Sequence, residues 1–371
     1  MKPLKYTGAG LKLTDRELIK MLVIHMDSGL GNQMLDYVEY LAIQKSNPDR
    51  ECYLENMIYD LPHKEGMFSM WNGYELERVF GIRLPNIKEH FRKDEWQRIL
   101  KSVEESRFWE EDWNYSRYIV EAMSREGIKL NNMGEGSGHL DISIQERQSK
   151  FRRMLTDFFR TAPGYHIKRL LRLALMKRLV VKNQQKYDVY RRYPDNSFAG
   201  HSLAFKFKGF DIEQFDREIR EAFRFPPVTD EKNKEMLSYI QSVNSVAIHA
   251  RRSDLLFVNG YCYKYGFFRR AVRHIKRKVP NPVFVFFTDE NSTGWCEENQ
   301  HIFGLDLKKD EVRFVTWNKG EESYRDMQLM AECKHNIFTE STFGFWGAYL
   351  NANPDKITCA PDCTLLATNT F

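Results

Sequence analysis

The chain has 371 residues, of which 42% are hydrophobic and 29% are charged. This balance is typical of a folded globular protein, excludes a mainly disordered chain and favours two domains at about 100–200 residues each. The net charge of +5 arises in one stretch, 151–193, which holds twelve Lys or Arg and two Asp. The rest of the chain is therefore not basic, and nucleic-acid binding is not expected.

Membrane-spanning and metal-binding classes are also not indicated. No stretch approaches the roughly 18–20 apolar residues of a membrane span, and the first twenty residues lack the apolar core of a signal peptide. We therefore expect a cytoplasmic protein. Six cysteines lie in apolar or helical contexts, and Cys359 and Cys363 lack a second pair or a histidine cluster, which favours reduced thiols over a zinc site.

The N-terminal part begins with a β-branched run at 21–26 that predicts a buried strand. A glycine-containing turn, 27–32, follows, and apolar spacing predicts a helix over 33–45. The next strand is predicted at 52–54. This strand–turn–helix–strand order is typical of an open parallel sheet.

The middle of the chain, about 88–228, is less regular. Helical segments are predicted near 93–106, 141–160 and 166–182. Pro226 and Pro227 mark a boundary, because proline restricts its own backbone and that of the preceding residue. We expect an N-terminal domain over 1–228, on the acceptor side, with a basic helical insert over about 90–228.

The C-terminal domain, 229–371, alternates helices and strands. This rhythm predicts a doubly wound parallel sheet. Helices are expected at 230–243, 263–278, 294–299, 324–333 and 343–351, and strands at 245–250, 283–288, 312–317, 336–339 and 356–359.

Unusual residues follow four predicted strands, at the edge where such sheets bind ligands. After the first strand, Gly31, Asn32 and Gln33 open a helix. His249, Arg251, Arg252 and Asp254 follow a second strand, Asp289 a third, and Ser341, Thr342 and Phe343 a fourth.

These residue types suit a diphosphate. His249 and Arg251 share a face of a strand, and the arginine fork donates bidentate hydrogen bonds. Ser341 and Thr342 start a helix, whose free N–H groups attract anions, although both also favour the position for structural reasons. Asp289 could orient an arginine, bind a nucleotide or cap the next helix. Together the loops predict binding of a nucleotide diphosphate and its departure.

At these residues the chain resembles the α-1,2-fucosyltransferases of glycosyltransferase family 11. Three family signatures are matched. Gly29–Met34 reads Gly-Leu-Gly-Asn-Gln-Met, His249–Asp254 matches His-x-Arg-Arg-x-Asp, and Ser341–Leu350 reads Ser-Thr-Phe-Gly-Phe-Trp-Gly-Ala-Tyr-Leu. The resemblance is strong over about 21–46 and 245–361 and faint over about 90–228.

The resemblance implies a GT-B arrangement, in which two Rossmann-like domains face a cleft. It implies GDP-fucose as donor, a terminal galactoside as acceptor, and inversion at the anomeric carbon without a metal ion or other cofactor. Arg251 would grip the β-phosphate, His249 would bind the nucleotide or phosphate, and Ser341, Thr342 and the Phe343 N–H would complete the phosphate site. Trp317 and Asn318 would lie near the guanine.

The general base is left open between Asp254, Asp289 and His249; His249, Arg251 and Asp254 are the candidate catalytic residues. The chain departs from the family signatures at Ser253, Glu340, Gly344 and Phe345. These departures put acceptor choice and linkage in question more than donor use. Another nucleotide sugar, or a non-catalytic GDP-sugar-binding protein, remains an alternative, the latter because Glu340 could oppose a diphosphate.

The basic segment 151–193 admits two interpretations. It could dock on an anionic membrane surface, or it could be a solvated helical insert. The charges at 168, 169, 172, 177 and 178 do not fall on one helix face, which favours the insert.

Overall fold

The computed structural model describes residues 20–62, 71–110, 115–133, 150–171, 193–200, 215–252, 256–289, 292–339 and 341–361. These residues group into two compact units, one within 1–145 and 188–204, the other within 146–187 and 205–371. Each unit contains a sheet of parallel strands. The predicted α/β class with two Rossmann-like domains is confirmed.

The first unit contains a four-stranded parallel sheet in the order β2-β1-β4-β3. Strand β1 is buried along its whole length between β2 and β4, which explains its continuous apolar sequence. The strands are β1 (Met21–His25), β2 (Glu51–Glu55), β3 (Asn131–Asn132) and β4 (Ser197–Gly200). The helices are α1 (Leu30–Ser46), α2 (Glu75–Phe80), α3 (Lys93–Glu105) and α4 (Tyr115–Arg125).

The second unit contains a five-stranded parallel sheet in the order β7-β6-β5-β8-β9. Its strands are β5 (Asn244–Ala250), β6 (Pro282–Thr288), β7 (Val312–Val315), β8 (His335–Phe338) and β9 (Thr358–Cys359). The chain order along the sheet reverses between β5 and β8. The predicted doubly wound sheet is confirmed, and this reversal is its topological switch point.

Ten α-helices are described in the second unit. They are α5 (Lys150–Arg160), α6 (Ala162–Leu171), α7 (Asp216–Ala222), α8 (Glu231–Ser242), α9 (Leu256–Lys264), α10 (Phe267–Lys278), α11 (Thr293–Glu298), α12 (Gln300–Phe303), α13 (Tyr324–Glu332) and α14 (Thr342–Leu350). Two apolar clusters cover the faces of the central strands, one around Phe268, Phe284 and Phe303, the other around Val285, Phe287 and Leu329.

The division into units differs from the predicted boundary at Pro226 and Pro227. Helices α5, α6 and α7 precede these prolines but fall in the second unit. For α7 the contacts show why. Arg220 donates to the carbonyl of Tyr349 at 3.1 Å, and the Tyr349 hydroxyl donates to Asp216 at 2.6 Å.

One predicted helix begins too early. The predicted stretch 263–278 contains the last two residues of α9 and all of α10, because Gly266 between the two helices adopts a left-handed conformation with φ of 71°. The strand predicted at 312–317 ends at Val315, and the one predicted at 356–359 begins at Thr358. The predicted helical stretches 141–149 and 172–182 lie outside the described residues.

Candidate functional site

The second and fourth motif loops meet at the switch point of the second sheet. His249 at the end of β5 pairs with Phe338 at the end of β8. The chain leaves β5 into Arg251 and Arg252, and leaves β8 into Ser341 and α14. The fold therefore places His249, Arg251 and the start of α14 at the edge where doubly wound sheets bind ligands.

His249 packs against the first turn of α14. Its ring stacks on Phe343 with centroids 5.7 Å apart and an interplanar angle of 29°. Gly344 leaves the space for this contact, since a Cβ at that position would lie 2.7 Å from Nδ1 of His249 and 2.8 Å from Cβ of Phe338. Gly344, which replaces the serine of the family signature, therefore leaves the space that the His249 ring needs in its observed position.

Arg251 is held by Asp289, which follows β6. Its Nε lies 3.5 Å from Oδ1 of Asp289, and the arginine side chain keeps 33% of its surface exposed. The other carboxylate oxygen accepts from the Arg252 N–H at 3.0 Å and from the Ser292 hydroxyl at 2.7 Å. Asp289 thus joins two of the predicted ligand loops and contacts both Arg251 and the residue before the next helix, so its three possible roles stay open.

Arg252 has a different environment from its neighbour. Its guanidinium carbon lies 3.4 Å from the ring centroid of Trp295 and 5.6 Å from that of Tyr263. The Tyr263 hydroxyl donates to the carbonyl of Arg251 at 3.0 Å. Cation–π contact of this kind anchors the loop.

Helix α14 begins at a site suited to an anion. Ser341 is extended and buried at the N-cap, and within the described chain its hydroxyl makes no capping hydrogen bond. The other end of α14 is capped by cations: Lys356 Nζ donates to the carbonyls of Ala348 and Asn351, both at 2.8 Å, and Arg220 donates to that of Tyr349. The N-terminal N–H groups and hydroxyls of α14 are thus the part of this helix that suits a phosphate.

The loop after β7 carries a network of amides and acids. Trp317 Nε1 donates to Asn233 Oδ1 at 2.9 Å, and Asn318 Nδ2 donates to the same oxygen at 3.0 Å and to Asp326 Oδ1 at 2.8 Å. Burial raises the pKa of Asp326 to about 7, although the Asn318 hydrogen bond acts in the opposite direction. Sequence reasoning missed Asn233 and Asp326. The available signal for Asp326 was an acidic residue in the first turn of α13. An acid at that position is also favoured by the helix dipole, so the signal does not by itself indicate a functional site.

Helices α13 and α14 pack closely through Gly347. A Cβ at this position would lie 2.9 Å from both Cβ and Cε of Met330. The carboxylate of Asp326 and the first turn of α14 therefore stand on two helices in direct contact.

In the glycine-containing turn of the first unit, the polar groups of Gln33 and Leu30 form hydrogen bonds to other residues of that unit. The Gln33 amide donates to the carbonyls of Ser28 and Gly73, both at 2.9 Å, and its oxygen accepts from the Glu75 N–H at 2.8 Å. The carboxylate of Glu75 accepts from the Leu30 N–H at 3.0 Å, at the start of α1. Gly31 is buried and Asn32 partly exposed. That Gly31, Asn32 and Gln33 contact the donor stays a prediction.

A buried acid–base cluster lies at the end of β1. His25 Nδ1 pairs with Glu55, its Nε2 lies 3.8 Å from Asp27, and all three side chains are fully buried. Burial alone would lower the pKa of His25, but the carboxylates of Glu55 and Asp27 outweigh it and raise the pKa to about 9. The sequence indicated only a strand residue here.

Some predicted residues lie outside the described chain, namely Asp254, Ser253 and Glu340. Among the residues that are described, no cluster of three His, Cys, Asp or Glu could hold a metal ion. In the same residues no helix is long and apolar enough to cross a membrane.

Comparison with known proteins agrees with the motifs. The family model for glycosyl transferase family 11 matches residues 175–366. An alpha-1,2-colitosyltransferase of Escherichia coli is 32% identical over 167 residues, 42% of this chain and 54% of that protein. Galactoside alpha-(1,2)-fucosyltransferase 1 of Saimiri sciureus is 34% identical over 110 residues, 28% of each chain.

This chain thus spans about half of the bacterial relative and less of the primate one. Solved structures matched by this chain include fucosyltransferase NodZ from Bradyrhizobium, at 11% identity and a TM-score of 0.42 over 89% of this chain and 92% of that one. The family model covers more than half of the 371 residues, including the second and third signatures at the switch point. The chain belongs to glycosyl transferase family 11.

Proposed function

We propose that the protein transfers L-fucose from GDP-fucose to the 2-hydroxyl of a terminal galactoside, with inversion and without a metal ion. The observation that carries this proposal is the position of Arg251 and the first turn of α14 on either side of the switch point between β5 and β8. The relatives' names support the 1,2 linkage, because both a colitosyl- and a fucosyltransferase among them are alpha-1,2 enzymes.

The diphosphate would lie between Arg251 and the N-terminus of α14. Arg251 is partly exposed and oriented by Asp289, so its fork can donate to a phosphate oxygen. The Ser341 and Thr342 hydroxyls with the Phe343 N–H would bind the other side of the same group. His249, stacked on Phe343, would contact the nucleotide or the phosphate.

The guanine would bind beside Trp317 and Asn318. The Watson–Crick edge of guanine offers two neighbouring N–H donors, and a carboxylate accepts both. Asp326, hydrogen-bonded to Asn318, is the acid in this network that we assign to that edge. This assignment makes guanine, rather than uracil, the base that the site favours.

In the proposed reaction the acceptor hydroxyl oxygen forms a bond to the anomeric carbon of fucose. The bond from that carbon to the β-phosphate oxygen breaks, and its electron pair leaves with GDP. Negative charge on the β-phosphate grows in the transition state, where Arg251 and the α14 N-terminus stabilise it more than in the ground state.

The hydroxyl proton passes to a general base, for which Asp254, Asp289 and His249 are the candidates. Asp289 already accepts from the Arg252 N–H and the Ser292 hydroxyl, so its first task is orientation. His249 is only 5% exposed. These contacts favour Asp254, next to the same arginines in sequence, for the base.

The test is turnover of GDP-fucose with a panel of β-galactosides in EDTA, followed by linkage analysis. An α-1,2-fucosylated product formed without metal is the expected result. Activity that EDTA abolishes and Mg²⁺ or Mn²⁺ restores would overturn the metal-independent mechanism, and a different linkage would overturn the acceptor assignment.

Two alternatives remain to be separated from this proposal. Because one relative is a colitosyltransferase, the GDP-activated form of colitose is the rival donor; a higher kcat/KM for it would replace fucose. Competition by GDP against UDP tests the nucleotide. Tight GDP binding without turnover of any donor would favour the non-catalytic GDP-sugar-binding protein. The proposed setting is the bacterial cytoplasm, with a polysaccharide precursor as acceptor.

A further inference from the structure

Helices α5 and α6 expose apolar side chains to an unusual extent. Six large hydrophobic residues are more than about a third exposed in the described chain, and five of them belong to these two helices. Phe151 and Met154 are 68% and 64% exposed, and Leu155, Phe158 and Ile167 are 39–43% exposed. Isolated exposed apolar residues are ordinary, but a concentration of this kind marks an interaction surface.

On α5 the exposed residues form one stripe. Phe151, Met154, Leu155 and Phe158 are spaced i, i+3, i+4 and i+7, which places them on one side of a helix. A solvated insert, the interpretation that the charge pattern favoured, would turn such a stripe inward. The structure turns it outward.

The connection between the two helices is stabilised by local hydrogen bonds. The Thr161 hydroxyl between them donates to the carbonyl of Phe158 at 2.7 Å and accepts from the Gly164 N–H at 3.3 Å. A Cβ at Gly164 would overlap the same carbonyl, so glycine permits the close approach. The apolar side chains of α5 and Ile167 of α6 therefore lie on two helices that a single residue connects.

The positive charge of this part of the chain indicates what kind of partner binds the exposed stripe. Residues 150–171 contain six Lys or Arg and one Asp, and the sequence continues basic as far as residue 193. Two copies of so basic a segment would repel each other, which disfavours self-association. Basic residues with an aromatic and aliphatic stripe are the composition of helices that lie in the headgroup region of an anionic bilayer.

We propose that α5 and α6 form a docking surface for an anionic lipid bilayer. Phe151, Met154, Leu155 and Phe158 enter the headgroup–acyl boundary, and the net positive charge of the segment attracts the anionic lipid. This surface does not depend on which donor or acceptor the protein uses.

Vesicle co-sedimentation of the full chain tests the proposal. Phosphatidylcholine vesicles are compared with vesicles containing about 30% phosphatidylglycerol, at 0.1 M and 0.5 M NaCl. We expect binding to the anionic vesicles only, weakened by the higher salt through screening. Equal recovery with both compositions, or no binding to either, would overturn it.

A triple variant, Phe151→Ser with Met154→Ser and Phe158→Ser, tests the stripe itself. It should lower the partition coefficient at least about tenfold, because three large apolar side chains no longer leave water. Leu307→Ser is the matched control: Leu307 is 37% exposed but lies outside these helices, and its variant should bind like the wild type. An unchanged circular dichroism spectrum and an unchanged Tm of the triple variant show that the fold persists. Wild-type vesicle binding by the triple variant, or a concentration-dependent dimer that it abolishes, would refute the lipid assignment.

Discussion

Gly344 leaves open the volume against which Nδ1 of His249 lies, and a Cβ there would come within 2.7 Å of that nitrogen. The histidine also stacks on Phe343, so its ring is held between the end of β5 and the first turn of α14. A residue without a side chain thus sets the position of one of the proposed donor-binding groups.

Replacing Gly344 with Ala or Ser should displace His249 and the start of α14. We expect kcat/KM to fall about 10- to 100-fold, since small misplacements near a reacting group have effects of that size. Gly294→Ala is the control, because a Cβ there meets nothing within 4 Å. Steady-state kinetics with GDP-fucose measures both; equal activity of the two variants would contradict the role given to Gly344.

Arg251→Lys should not restore activity. Lysine keeps the charge but loses the planar fork, and we expect kcat to fall about 10²- to 10³-fold, as when one transition-state donor is removed. Arg313→Lys is the matched control: Arg313 also pairs with a carboxylate, Glu311 at 3.0 Å, but is an exposed residue of strand β7. Turnover of Arg251→Lys close to that of the wild type would show that this arginine does not stabilise the leaving diphosphate.

GDP binding should weaken as the pH falls through about 7. Burial raises the pKa of Asp326 to about 7, and guanine N–H groups bind the ionised carboxylate, so protonation competes with the ligand. Below that pH the Kd should rise up to about tenfold per pH unit. Calorimetry at pH 5.5 to 8.5 measures this slope.

The Asp326→Asn variant separates this group from others that titrate. This variant should bind GDP weakly at every pH, and its Kd should no longer change with pH near pH 7. If the wild type and the variant keep the same pH dependence, Asp326 does not contact the base.

His25 should make stability depend on alkaline pH. Its pKa is 6.5 unfolded and about 9 in the fold, so its contribution is complete below pH 6.5 and is lost as the pH rises through about 9. The loss is on the order of 3 kcal/mol, from 1.36 kcal/mol per pKa unit. Urea unfolding of the wild type and of His25→Gln between pH 6 and 9.5 measures it, since the cysteines and tyrosines that titrate in this range are common to both proteins.

The difference in free energy of unfolding between the wild type and His25→Gln should decrease from pH 6 to pH 9.5. A constant gap would mean that His25 is neutral in the fold, in spite of its contacts with Glu55 and Asp27.

The second sheet and its motif loops were predictable from sequence because buried parallel strands appear as continuous apolar runs. The positions of His249, Arg251 and Ser341 followed from the ends of those runs. The break at Gly266 was missed, since apolar spacing continues across it and only the left-handed backbone ends the helix. The network of Asn233 with Trp317 joins residues 84 apart, and sequence spacing carries no information on such contacts.

Other features could not be predicted from sequence for the same reason. Gln33 belongs to a family signature, yet its amide bridges Ser28 and Gly73, a contact across 40 residues. The spacing of Phe151, Met154, Leu155 and Phe158 is a property of the sequence, but whether other parts of the chain cover these side chains is a property of the fold. Neighbouring residues Arg251 and Arg252 differ because one faces Asp289 and the other Trp295.

The contact between Met330 and Gly347 has a consequence for the ligand as a whole. It brings together the helix that carries Asp326 and the helix whose first turn is assigned to the phosphate, so backbone packing, rather than a loop, sets the span between these two points. If the proposed nucleotide binds there, the fixed distance between the two helices determines which ligands contact both points. We expect a nucleoside monophosphate or a free diphosphate to contact only one of them, and Gly347→Ala to change the distance between them.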